Sequence, residues 1–92
     1  ADNSMYGTIG MHSYVRYPNK PFMQGTKLTN PDFAAWARSF GAEGITIQTE
    51  ADVSAAIDKA FSIRVKPVVV HCHTSAVQMS AWRKYERSET LP

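Results

Sequence analysis

The sequence predicts an α/β fold, a partial three-layer αβα sandwich with a parallel sheet and a right-handed βαβ unit. Residues 30–73 carry this reading. They pass from helical spacing to alternation, back to helical spacing, and then to a continuous apolar run. That run, Val68-Val69-Val70, suits a strand covered on both faces, as in a parallel sheet. Strand, helix and strand at this spacing form a βαβ unit, whose crossover is right-handed by rule.

The elements follow in chain order. Asp2, Asn3 and Ser4 are loop formers. Ile9, Met11, Tyr14 and Val15 give an irregular apolar face to a helix that Gly7 and Gly10 weaken. Residues 18–30 hold two prolines and a glycine and read as a surface loop pinned by Phe22 and Leu28. Asn30 is the expected cap of the next helix, with Pro31 in its first turn and Asp32 at the positive end of its dipole. Phe33, Trp36, Ala37 and Phe40 fall at i, i+3, i+4 and i+7, and Gly41 suits a left-handed stop. Residues 44–48 alternate and are rich in β-branched side chains, so they form a strand. Thr49, with Asp52 three residues on, caps a second helix whose stripe is Val53, Ala56, Ile57, Ala60 and Phe61. Strands over 45–48 and 68–71 should be parallel neighbours. Phe33, Trp36, Phe40, Ile57 and Phe61 should be buried, so that Trp36→Ala costs about 3–5 kcal/mol. After residue 73, Thr74 or Ser75 caps an expected last helix that turns Ala76, Val77, Ala81 and Trp82 inward, with a polar tail from Lys84.

The totals narrow the classes. Ninety-two residues suit one small domain with little stability to spare. A net charge of +2, with basic residues scattered apart from Arg83, Lys84 and Arg87, does not argue for nucleic acid or an anionic membrane. No apolar stretch has transmembrane length and no signal peptide is visible. The single Cys72 rules out an internal disulfide and fits a reducing, cytoplasmic setting. Ala1-Asp2-Asn3 reads as the junction of a strand and a loop, so the chain is expected to be a piece of something longer.

Two stretches taken together carry a resemblance. One is Asp2-Asn3-Ser4-Met5-Tyr6-Gly7-Thr8-Ile9. The other is Gly25-Thr26-Lys27-Leu28-Thr29-Asn30-Pro31-Asp32-Phe33, followed by Phe40-Gly41-Ala42 and the βαβ unit. In this order they resemble the C-terminal part of the cofactor-binding domain of thiamine-diphosphate-dependent enzymes, nearest the acetolactate-synthase-like branch. The resemblance implies one incomplete domain over 1–92. Within it, 1–17 are a metal and cofactor loop with a weak helix, 18–30 a loop, 31–73 helix-strand-helix-strand, and 74–92 a terminal helix and tail. It implies thiamine diphosphate and Mg²⁺ as cofactors. Asn3 would ligate the metal through its side-chain oxygen and Met5 through its carbonyl, while Tyr6, Gly7 and Thr8 would lie along the cofactor. Mg²⁺ takes oxygen ligands in octahedral array and shares them with phosphates, and Gly7 leaves room for close backbone approach.

The resemblance also implies decarboxylation or carboligation of a small 2-oxo acid in the intact enzyme. It implies no catalytic residue in this chain, which is expected to be inactive alone and to work with the rest of the parent enzyme or a homo-oligomer partner. Asp2 stands where the family often has the first of two asparagines. The Gly-Asp-Gly half of the metal motif is absent, as is the domain that carries the thiamine-activating glutamate. Simple decarboxylases of the family carry Tyr-Thr-Ile-Glu after the metal loop. Here Tyr6-Gly7-Thr8-Ile9 has no acid, which leans toward carboligases.

Other residues have plainer readings. His71 and His73, two apart on a strand, share a face and can hold Zn²⁺ or Ni²⁺, yet the sequence shows no third ligand. Cys72 reads as a small buried hydrophobe. His12 is the one histidine near the cofactor loop. The alternative function is a stand-alone, non-catalytic α/β binding or assembly module that pairs through its open sheet edge.

Overall fold

Two parallel strands carry the fold. They are β1, Glu43–Ile47, and β2, Val68–Cys72, in register from Glu43 opposite Val68 to Ile47 opposite Cys72. The structure is a computed structural model and describes residues 1–19, 25–80 and 83–84. Between the strands run a short 3-10 turn, Glu50–Asp52, and helix α3, Val53–Ser62. The expected βαβ unit and α/β class are therefore present.

The local reasons match the sequence reading at several points. Thr49 and Asp52 form a reciprocal capping box, in which the Thr49 N–H donates to Asp52 Oδ2 at 3.2 Å. Gly41 lies at φ +84°, the left-handed region glycine enters at little cost. It follows helix α2, Phe33–Ser39, which is capped by Asp32 and not by the expected Asn30. Asp32 Oδ1 accepts from the Ala35 N–H at 3.0 Å. Asn30 is engaged elsewhere, because its Nδ2 donates to Asp2 Oδ1 at 2.8 Å.

The expected aromatic core is a correction. The buried residues of α2 are Ala34 and Ala37, and that of α3 is Ala56. Phe33 is half-buried, while Trp36, Phe40, Ile57 and Phe61 are exposed. The cause is close approach of α2 to the sheet. A Cβ on Gly44 would stand 2.1 Å from the Ala34 carbonyl oxygen, so only small residues fit between helix and strand. The Arg38 Nη1 donates to the Gly44 carbonyl at 2.8 Å across the same contact. Two strands also offer too little surface to cover five large side chains, and Val69 in the apolar run is itself exposed.

Clustering of the chain gives two units, Ala1–Asp2 with Asn30–His73, and Asn3–Thr29 with Thr74–Pro92. In the second, helix α1 spans Gly7–Arg16. It buries Gly10 and Met11, whereas Ile9 and Val15 of the expected apolar face are exposed. The expected last helix is a further correction. Residues Gln78–Ser80 and Arg83–Lys84 are strands β3 and β4, paired antiparallel. Ser75 does bond locally as a cap would, accepting from the N–H groups of Val77 and Gln78, but the bonds close a turn. Phe22, Ala81, Trp82 and Arg87 lie outside the described residues. Among the described residues no helix is long and apolar enough to cross a membrane.

Candidate functional site

The residues the sequence singled out for cofactor and metal lie on one loop and the start of α1. Asn3 Oδ1 accepts from the Met5 N–H at 3.3 Å, and Ser4 between them sits at φ 58°. A serine there is held in the left-handed region against its preference, which bends the loop sharply. Met5 is anchored by an antiparallel bridge to Lys27, with the Tyr6 N–H donating to the Thr26 carbonyl at 2.7 Å and the Leu28 N–H to the Ser4 carbonyl at 2.8 Å. Tyr6 is the N-cap of α1 and makes no side-chain cap bond.

The first intrahelical bond is the Gly10 N–H to the Tyr6 carbonyl, at 3.0 Å. The N–H groups of Gly7, Thr8 and Ile9 therefore come before the ladder begins. No acidic side chain occupies the first turn. Met5, Tyr6, Gly7, Thr8 and Ile9 line a cleft of about 280 Å³ at this helix start. Open N–H groups and the positive end of a helix dipole are suited to a phosphate. The structure thus brings together Asn3, Met5, Tyr6, Gly7 and Thr8 as neighbours on one loop and turn. His12 is exposed on α1 and does not line the cleft.

The donor set fits Mg²⁺ in kind. The Asn3 amide oxygen keeps a lone pair beyond the one used by Met5, and the Met5 carbonyl is a second oxygen, the ligand type a hard cation takes. Neither carries net charge, so phosphate oxygens and a carboxylate would have to complete the shell.

Sequence reasoning did not find the partners of Asp2. Its Oδ2 stands 2.6 Å from His71 Nε2, and both side chains are buried. Its N–H donates to the Cys72 carbonyl at 2.8 Å, and the residue bridges His73 in parallel. Asp2 thus supplies the third group missing beside the two histidines, with ligand atoms of Asp2, His71 and His73 all within 4.8 Å of one another. The hydrogen bonds decide what this cluster does. The Phe33 N–H donates to His71 Nδ1 at 3.2 Å, so Nδ1 is the unprotonated nitrogen. The proton of the neutral ring is then on Nε2 and points at Asp2, where a metal would need a lone pair. The cluster is a proton-filled brace that ties the start of α2 and residue 2 to β2. Sixty-nine positions separate its two main members, and no local pattern in the sequence signals such a pairing.

Cys72 is a free, half-buried thiol. The Asp32 carboxyl is held below its ordinary value of 3.8, chiefly by the hydrogen bond from the Ala35 N–H at the start of α2.

The comparisons with known proteins come last. No curated protein matches the chain. No solved structure matches it. One family model does match, over residues 1–72, and its description is thiamine pyrophosphate enzyme, C-terminal TPP binding domain.

Proposed function

The chain belongs to the family of C-terminal TPP binding domains of thiamine pyrophosphate enzymes, and from that premise we propose that it supplies the diphosphate and Mg²⁺ corner of an enzyme acting on 2-oxo acids. The observation that carries this reading is the cleft at the start of α1, where the open N–H groups of Gly7, Thr8 and Ile9 follow directly on the Asn3–Met5 turn. Asn3 gives its side-chain oxygen and Met5 its carbonyl to Mg²⁺. Tyr6, Gly7 and Thr8 lie along the diphosphate. Thiamine diphosphate, when bound, supplies the electron sink for loss of carbon dioxide from a 2-oxo acid.

The chain's own part is to bind and orient. The α1 N-terminus neutralises phosphate charge without a lysine or arginine. The Ser4 turn sets the spacing between the two metal oxygens. Ile9 puts no acid beside the cleft, which favours an acetolactate-synthase-like carboligase over a simple decarboxylase. The carboxylate for the metal and the group that activates thiamine would come from the rest of the parent enzyme or from a second copy. The second reading, a non-catalytic binding or assembly module, draws on the exposed Trp36, Phe40 and Phe61.

Calorimetric titration of thiamine diphosphate with Mg²⁺ into the chain, beside an assay for pyruvate consumption, separates the readings. The proposal expects weak binding and no turnover from the chain alone. Micromolar binding abolished by Asn3→Ala, or measurable turnover, would show instead a complete site built by oligomerisation. A titration without heat even at millimolar cofactor would favour the binding-module reading.

A further inference from the structure

One edge of the sheet is already started. The Glu43 N–H donates to the Pro67 carbonyl and the His73 N–H to the Ile47 carbonyl. Alternation along a parallel ladder then turns the main-chain groups of Val69 and His71 toward β1. Those of Val68, Val70 and Cys72 face the opposite edge. The Asp2 N–H meets the Cys72 carbonyl there at 2.8 Å, in a parallel bridge opposite His73. Among the described residues only Asp2 pairs along that edge.

Beside this edge lies a cleft of about 160 Å³ lined by Ala1, Asp2, Phe33, Trp36, Val69, Val70 and His71. Its walls are mostly apolar. Trp36 and Val69, the two exposed residues in it, are 56% and 36% accessible.

We propose that the free edge of β2 is the seat of a further parallel strand, an extended apolar segment joined to Ala1 and continuing the pairing begun at Asp2. The register follows from the bridge. In a parallel ladder, a residue that faces its neighbour donates to the residue before its opposite number and accepts from the one after it. Asp2 opposite His73 obeys this on its donor side. The residue before Ala1 stands opposite His71, donates to the Val70 carbonyl and accepts from the Cys72 N–H. The residue two places further back stands opposite Val69, donates to the Val68 carbonyl and accepts from the Val70 N–H.

Side chains alternate along a strand. These two residues therefore share the face of Asp2, whose carboxylate meets His71 against Phe33. They enter the cleft and cover Trp36 and Val69, so both are aliphatic. Ala1 and its odd-numbered neighbours point to the other face. The occupant is a segment continuous with Ala1 and not a second copy, because a second copy has no reason to keep the register that the Asp2 bridge has set.

The test adds five residues ahead of Ala1 in three versions of the full chain. One extension alternates with isoleucine or valine opposite His71 and Val69. One is glycine and serine only. The third repeats the apolar extension with one glycine inserted before Ala1, which turns every added side chain to the wrong face. Amide exchange is read at Val70 and Cys72, with the His71 N–H, which faces β1, reporting that the fold is intact. The in-register extension should slow Val70 and Cys72 at least about tenfold relative to the glycine-serine chain, and the inserted glycine should abolish the gain. Equal exchange in all three chains would overturn the proposal. So would protection that rises with protein concentration, which would assign the edge to a second copy.

Discussion

The carboxylate of Asp2 and the imidazole of His71 meet at 2.6 Å, buried, across sixty-nine positions of chain. His71 also accepts the Phe33 N–H, and Asp2 also accepts from Asn30, so each polar group of the brace has its partner. His71→Ala removes the shared member and leaves a buried carboxylate and a helix N–H unmatched. It should lower stability by about 3 kcal/mol, while Asp2→Asn, which keeps an acceptor, should cost about 1 kcal/mol. Urea midpoints measure both, and an unchanged midpoint for His71→Ala would show the brace is not formed.

Gly44→Ala should be among the costliest small substitutions. The new methyl would stand 2.1 Å from the Ala34 carbonyl oxygen, a backbone atom that cannot turn aside. Helix α2 must move off β1, at about 3 kcal/mol or more. Loss of the cooperative thermal transition, or a large fall in its midpoint, is the expected result. A midpoint within error of the parent would mean that α2 does not sit so close.

Trp36→Ala should cost about 1–2 kcal/mol, well short of the loss expected for a core tryptophan. Trp36 is more than half accessible and its ring contacts are the edges of Phe33 and Phe40. A measured loss above about 4 kcal/mol would return it to the core.

The Asp32 cap predicts a pH dependence of known sign. Its carboxyl is held below the ordinary value by the Ala35 N–H, so the folded state prefers the ionised form. The stabilisation is fully present above the unfolded value near 3.8 and is lost as pH falls through the lower folded value. Asp32→Asn keeps an acceptor for Ala35 and removes the titration. Below about pH 4 the parent should lose stability faster than this variant, as urea midpoints against pH would show. Parallel curves for the two would contradict the cap.

Local pattern made much of the fold legible. Gly41 after a helix, Thr49 with Asp52, and the Val68-Val69-Val70 run each signal their structure within a few residues. The aromatic stripe misled because helical spacing shows which residues share a face, not how closely that face approaches its neighbour. Gly44, which sets that distance, lies on a different element. The same limit hid the Asp2–His71 brace. The helix expected after Thr74 failed because Ser75 bonds that can cap a helix can equally close a turn. At the candidate site, the Asn3–Thr8 stretch was legible through its resemblance alone. That the residues from Gly7 open a helix was obscured by the glycines that weaken one.

The central claim is that the Asn3–Met5 turn and the start of α1 hold Mg²⁺ and diphosphate. Residue-resolved NMR titration of the chain with thiamine diphosphate, with and without Mg²⁺, tests it most directly. The account predicts saturable shifts of the Gly7, Thr8 and Ile9 amides, with a Kd of about 1 mM, corresponding to about −4 kcal/mol. They should be stronger with Mg²⁺, and Asn3→Ala should remove that dependence on the metal. Shifts confined to other residues, or no saturable shift at these three amides, would contradict it.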